Sequence, residues 1–229
     1  MTTGAIRRRL VLWDVDGTLV SNDESDERLF VATTESVLGP LPHIVHPYRH
    51  GKTDRQQVIE YLKANGGSSA QADEGSRLLV EHSRVHFAEP GERVTLPGVR
   101  ATLEALAAAG HVNAMLTGNS EVRARLKLRS AGLSSEHFDW ASSFFGGAVA
   151  SRLDLTRAAS EYAAGRGLVP VVIGDTAADS HAAEIAGIEF IGVATGVYDA
   201  SELRATPNVL VVDDLDVGGR SVLDLLATR

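Results

Sequence analysis

The sequence predicts an α/β fold: a doubly wound, mostly parallel sheet of Rossmann type carrying an inserted α-helical cap. Three observations predict it. Short apolar runs alternate with longer stretches of helical period, many of them followed by glycine. Residues 21–94 separate the first apolar run from the second and contain no strand-like run of their own. The first run ends in paired acids followed by glycine, at the edge where such sheets place their ligands.

The elements follow in chain order. Leu10-Val11-Leu12-Trp13 reads as a buried strand. Helices are expected over 26–38, 55–64 and 72–87, entered near Ser21-Asn22 and left near Pro90-Gly91, with Gly66-Gly67-Ser68-Ser69 as a connection between helices. Leu96-Pro97-Gly98-Val99 restarts the main domain. A helix over 99–109 then places Val99, Leu103 and Leu106 on one face and stops at Gly110. A strand over 112–116 leads to a helix over 121–131, stopped by Gly132. Phe144-Phe145 is a short strand before a Gly146-Gly147 turn, and a helix over 154–164 stops at Gly165. Strands over 169–173, 189–194 and 209–212 complete the sheet, with a helix over 179–186 ending at Gly187. Residues 1–20 and 95–229 are thus expected to form the α/β core, and 21–94 the helical cap.

At 229 residues and 44% hydrophobic content the chain can bury a full core. A formal charge of -8 argues against a nucleic-acid polymer or a membrane surface as partner. No cysteine is present, which excludes disulfides, thiolate metal sites and a cysteine nucleophile and suits a reducing, cytoplasmic compartment. Arg7-Arg8-Arg9 precede an apolar run that meets Asp14 too soon to make a signal-peptide core, and no segment approaches the length of a membrane span. The eight histidines show no zinc-ligand spacing; His82 and His86, one turn apart, read as surface or packing residues. No G-x-S-x-G elbow or Walker loop occurs. The sequence specifies no oligomeric state.

Chemistry concentrates at strand ends. Asp14 and Asp16, two residues apart, leave a strand on the same side. Held that close they repel unless a cation lies between them. The arrangement suits a Mg²⁺ site in which one carboxylate also attacks an electrophile. Thr117-Gly118-Asn119 follows the second run, either as an anion cradle at a helix start or as a turn with Asn119 as N-cap. Arg152 stands ahead of the 154–164 helix, and Gly174-Asp175-Thr176-Ala177-Ala178-Asp179 follows the 169–173 run.

These four segments, in this order, resemble the motifs of the haloacid dehalogenase (HAD) superfamily in its phosphatase form, in the branch of capped phosphoglycolate phosphatases and β-phosphoglucomutases. The resemblance spans essentially the whole chain, because the helical insertion sits where that family carries its first type of cap. It implies a HAD-like core and a Mg²⁺-dependent phosphatase acting on a small phosphorylated metabolite through an aspartyl-phosphate. Asp14 would be the nucleophile and Asp16 the general acid–base. Asp14, Asp16 through its carbonyl, and Asp175 would hold the metal, with Asp179 assisting through water or orienting the basic residue. Thr117, Gly118 and Asn119 would bind the phosphoryl oxygens. Arg152 would stabilise the transferring group. The family usually has lysine there, and Arg157, further along the helix, competes for the role. Arg49, His50, Gly51 and Lys52, ahead of a helix capped by Thr53 or Asp54, would read the substrate. Asp16 argues against a dehalogenase and against a phosphonoacetaldehyde hydrolase using Lys52 as a Schiff base. A sugar-phosphate mutase and a non-catalytic binding protein are the other readings.

Overall fold

The computed structural model describes residues 8–228; Arg7 of the basic triplet lies outside them. Its six strands are β1 (Arg9–Trp13), β2 (Val112–Thr117), β3 (Phe144–Phe145), β4 (Val169–Gly174), β5 (Glu189–Val193) and β6 (Leu210–Val212). All pair in parallel in the order β3-β2-β1-β4-β5-β6. β1 is central because both its faces are apolar. Val11 and Trp13 join one cluster, with Val99, Leu103, Val222 and Leu226. Leu10 and Leu12 join the other, with Leu155, Ala159, Ala163 and Ala183. This two-sided burial is what a strand of continuous apolar residues provides. The indole Nε1–H of buried Trp13 donates to Asn113 Oδ1 at 3.0 Å, so its polar atom is satisfied.

The first cluster is covered by α4 (Val99–Ala108) and α9 (Leu215–Thr228), the second by α6 (Arg152–Ala164) and α7 (Ala177–Ile185). α5 (Glu121–Ser130) follows β2, and the short α8 (Ala200–Arg204) lies between β5 and β6. α8 and α9 extend the sequence reading. α6 and α7 also begin two residues earlier than expected, because their caps lie further back. Ser151 Oγ accepts from Asp154 N–H at 3.2 Å, and Thr176 with Asp179 forms a reciprocal capping box.

The inserted helices are α1 (Ser25–Leu38), α2 (Asp54–Ala64) and α3 (Ala72–His86). They bury a cluster of their own, with Leu29, Phe30, Val58, Tyr61, Leu62, Leu79 and Phe87; α5 contributes Leu126 to it. Thr53 is the α2 cap, its hydroxyl accepting from Gln56 N–H at 3.1 Å. The two connections to the core run side by side, Ser21 N–H bonding Val94 O at 2.9 Å. His82 packs here through its ring nitrogens, on Thr33 at 3.1 Å and Ser36 at 3.5 Å. No helix among the described residues is long and apolar enough to cross a membrane.

Candidate active site

β2 and β4 flank β1 and lead to opposite edges of the sheet, so the C-terminal end of β1 is the point where the winding reverses. Asp14 stands there, one residue past β1, its N–H continuing the ladder to Ile173 O at 3.0 Å. The chain then turns sharply away. Gly17 has φ +80°, and a Cβ at that position would fall 2.3 Å from Asp175 Oδ2. Only glycine meets both the left-handed backbone and the close approach.

Asp175 stands directly after β4, and Asp179 lies in the first turn of α7. Asp14, Asp175 and Asp179 are buried, and each offers a carboxylate oxygen within 4.8 Å of the others'. Burial pushes the Asp14 carboxyl up to about 6, against the pull of Arg152 and with Asp179 and Asp16 adding repulsion. Burial, then the charges of Asp14 and Asp179, push Asp175 well above the usual carboxylate range. Clustered hard oxygen donors whose charges repel one another fit a hard divalent cation. The Asp179 oxygens are already engaged: Oδ1 accepts from Arg152, and Oδ2 from the Thr176 hydroxyl at 2.6 Å.

Arg152, the first residue of α6, is 8% exposed. It reaches Asp14 Oδ1 at 3.4 Å, bonds Asp179, and donates to Leu116 O at 3.3 Å, while its buried Nε has no partner. Burial opposes its charge, but Asp14 and Asp179 hold the guanidinium ionised. Arg157 is on the solvent side, 3.8 Å from Asp154. The choice left open by the sequence thus falls on Arg152.

Asn119 is not the helix cap; Ser120 is, accepting from Arg123 N–H at 3.4 Å. Asn119 instead turns inward. Its Nδ2 donates to Asp16 Oδ2 at 2.7 Å and to the buried Thr117 hydroxyl at 3.0 Å. The loop is pinned behind by Gly146 N–H, bonded to Thr117 O at 3.0 Å and Asn119 O at 2.9 Å.

Arg49, His50, Gly51 and Lys52 all line the same cavity as Asp14, Asp16, Gly118, Asn119, Arg152 and Asp175. Gly51, at φ +72°, lets the loop descend onto α7, where a Cβ would come within 2.4 Å of Ala178. The Lys52 ammonium is held by Glu60. Burial, then Arg49, lowers the proton affinity of His50. Asp54 N–H closes the loop onto the core at Gly118 O, 2.7 Å away. The cavity left inside is 60 Å³, room for about four to six water-sized groups.

Sequence reasoning missed the polar floor of this cavity. Arg123 and Lys127 are buried, and the same space is lined by Asp26 and Asp54. Arg123 bonds Asp54 and, at 2.6 Å, Asp26. Lys127 bonds Asp16 at 2.7 Å. The available signal was the spacing Arg123, Leu126, Lys127, Ser130, one helical face with cations in apolar places.

The profile of the haloacid dehalogenase-like hydrolases matches residues 11–184. A phosphoglycolate phosphatase of Agrobacterium fabrum is 29% identical over 212 residues, covering 90% of this chain and 88% of the relative. A phosphoglycolate phosphatase of Pseudomonas putida is 29% identical over 222 residues, covering 90% and 77%. Among solved structures, CbbY from Rhodobacter sphaeroides in complex with phosphate superposes with a TM-score of 0.73 at 22% identity, over 95% of this chain and 99% of that one.

Proposed function

Because the chain belongs to the haloacid dehalogenase-like hydrolases and is an enzyme of their phosphatase kind, we propose that it hydrolyses a small phosphorylated metabolite through an aspartyl-phosphate on Asp14. The observation that carries this reading is the buried group of Asp14, Asp175 and Asp179 with Arg152 at the sheet's reversal point. Residues 1–20 and 95–229 act as the core and 21–94 as the cap, a division supported by the separate apolar cluster of α1–α3. The cytoplasm is the compartment that suits a cysteine-free chain.

An Asp14 oxygen bonds to phosphorus as the bond from phosphorus to the ester oxygen breaks, and Asp16 passes its proton to that departing oxygen. Asp16, now a carboxylate, then takes a proton from water as the water oxygen bonds to phosphorus. Asp14 is freed and inorganic phosphate leaves. The Gly118 amide at the cavity wall would bind the phosphoryl oxygens, with the buried Thr117 hydroxyl behind it accepting from Asn119 N–H at 3.3 Å and so shaping the loop, and Arg152 stabilises their charge from the side held by Asp179. Asp14, the Asp16 carbonyl and Asp175 would hold Mg²⁺, which when bound cancels the repulsion between a carboxylate nucleophile and a phosphate dianion. With both oxygens engaged, Asp179 acts chiefly by orienting Arg152.

The small cavity supports a short leaving group, and Arg49 with His50 and Gly51 on the loop reads it. Lys52 is taken up in an ion pair with Glu60, which argues against its use as the Schiff-base lysine of a C–P hydrolase. The test is a screen of small phosphate esters with Mg²⁺, 2-phosphoglycolate and sugar phosphates included, with wild type beside Asp14→Asn. Phosphate release by wild type and a fall of about 10⁴-fold or more in the variant are expected for loss of the nucleophile. Activity retained in the variant refutes the assignment. Inactivity of both toward every ester favours a binding protein, and transfer to a second sugar hydroxyl in place of release favours a mutase.

A further inference from the structure

We infer that Lys127 is a positioning residue that ties Asp16, on the core, to Asp26, on the first inserted helix. Seating of the inserted helices therefore helps to place the Asp16 carboxyl, which Asn119 holds from the core side. The inference rests on the reading of Asp16 as the acid–base group.

Lys127 follows Arg123 by one turn of α5, with its side chain 2% exposed. Its Nζ donates to Asp16 Oδ1 at 2.8 Å and Oδ2 at 2.7 Å, and lies 3.0 Å from the Asp26 carboxylate. Asn119 Nδ2 reaches Asp16 Oδ2 at 2.7 Å. An ammonium has three donors on a flexible stem, so with Asp16 as its one partner Lys127 would have no fixed point of its own. Asp26 supplies the fixed point. It is buried, and it is itself held by Arg93 at 2.7 Å and Arg123 at 2.6 Å. Arg93 lies in the return connection and Asp26 just after the outgoing one, so this anchor sits where the inserted helices join the core. Displacing it withdraws the second partner from Lys127 and leaves Asp16 on Asn119 and an ammonium that is no longer anchored. A 1 Å misplacement of a catalytic group can reduce the rate by about 10²-fold.

Two phosphates of nearly equal size separate this role from a structural one. 2-Phosphoglycolate, or the best alkyl ester of the screen, leaves as an alkoxide that needs a proton. Acetyl phosphate leaves as a carboxylate that does not. The parameter to compare is kcat/KM, which covers the steps through phosphoryl transfer and leaves out water activation. Lys127→Met is expected to lower it about 30-fold or more for the alkyl ester and less than about 3-fold for acetyl phosphate. Asp26→Asn is expected to produce the same split.

Equal losses on both phosphates overturn the inference, since Lys127 would then serve only folding or general anion binding. Asp16→Ala is the reference: if it shows no split, the reading of Asp16 fails; if it shows one and Lys127→Met does not, only the Lys127 assignment fails. Should Lys127→Met not fold, Lys127→Cys introduces the only thiol in the chain. Alkylation of the unfolded variant with bromoethylamine, then refolding, should restore the alkyl-ester rate, whereas iodoacetamide should not. Equal recovery with both reagents, or none with either, contradicts the inference.

Discussion

Asp14 and Asp175 are carboxyls that the fold places where neither prefers to ionise. Burial comes first among the causes; Asp179 and Asp16 then add repulsion at Asp14, which rises to about 6 against the pull of Arg152, and Asp14 and Asp179 add it at Asp175, which rises well above its usual range. A carboxyl whose folded value exceeds its unfolded one contributes stability that is fully present below the unfolded value. That contribution is lost as pH rises through the folded value. A divalent cation reverses the penalty by preferring the ionised pair. A fixed Mg²⁺ concentration a hundred times the dissociation constant at pH 8 is therefore expected to stabilise the fold by about 2.7 kcal/mol there, read as a raised melting temperature, and to do little near pH 5. Asp175→Asn should remove most of that gain; an equal gain at both pH values, or in the variant, counts against the site. That Asp14, Asp16 and Asp175 would meet at one sheet edge was legible because each follows directly on an apolar run; Asp179 comes with them as the capping-box partner of Thr176. Lys127 and Arg123 were not legible, because a cation in a helix is ordinary until its face is known to be buried.

Among the elements, α5 joins the two halves of the molecule. Burial alone would raise Asp26, yet Lys127, Arg123 and Arg93 together hold it well below the carboxylate range. Asp54, with Arg123 as its main cation, is left above its usual value by burial. The Asp26 contribution is present above its unfolded value and lost as pH falls through the folded one. Replacing Arg123 by methionine leaves two buried carboxylates short of a partner. Urea unfolding at pH 7 is expected to show a loss of about 3–5 kcal/mol, with acid unfolding moved to higher pH. A change under about 1 kcal/mol would mean that α1 and α2 are held by their apolar contacts instead. Strand positions were readable from short apolar runs, and most bounds fell within a residue or two. The starts of α6 and α7 were not, since Ser151 and Thr176 cap from outside the apolar pattern. The 200–204 helix is too short to display a period.

At the scale of the whole molecule, an acidic chain gathers Arg49, Lys52, Arg123, Lys127 and Arg152 around one cavity, beside Asp14, Asp16, Asp26, Asp54 and Asp175. The division into sheet and inserted helices was readable from the long strand-free interval. The seating of one on the other was not, because it depends on contacts such as Asp54 N–H on Gly118 O between residues far apart in sequence. That seating brings Asp14, Asp16 and the loop of Arg49 to Lys52 to one small cavity, and the proposed function puts Asp14 at its centre. Asp16→Ala, incubated with Mg²⁺ and acetyl phosphate, needs no acid for phosphoryl transfer and lacks the base that would release the product. Peptide mapping by mass spectrometry is predicted to find a phosphoryl group on Asp14 alone. A protein that turns over acetyl phosphate with Asp14 unmodified, or that carries the phosphoryl group on another residue, would contradict the account.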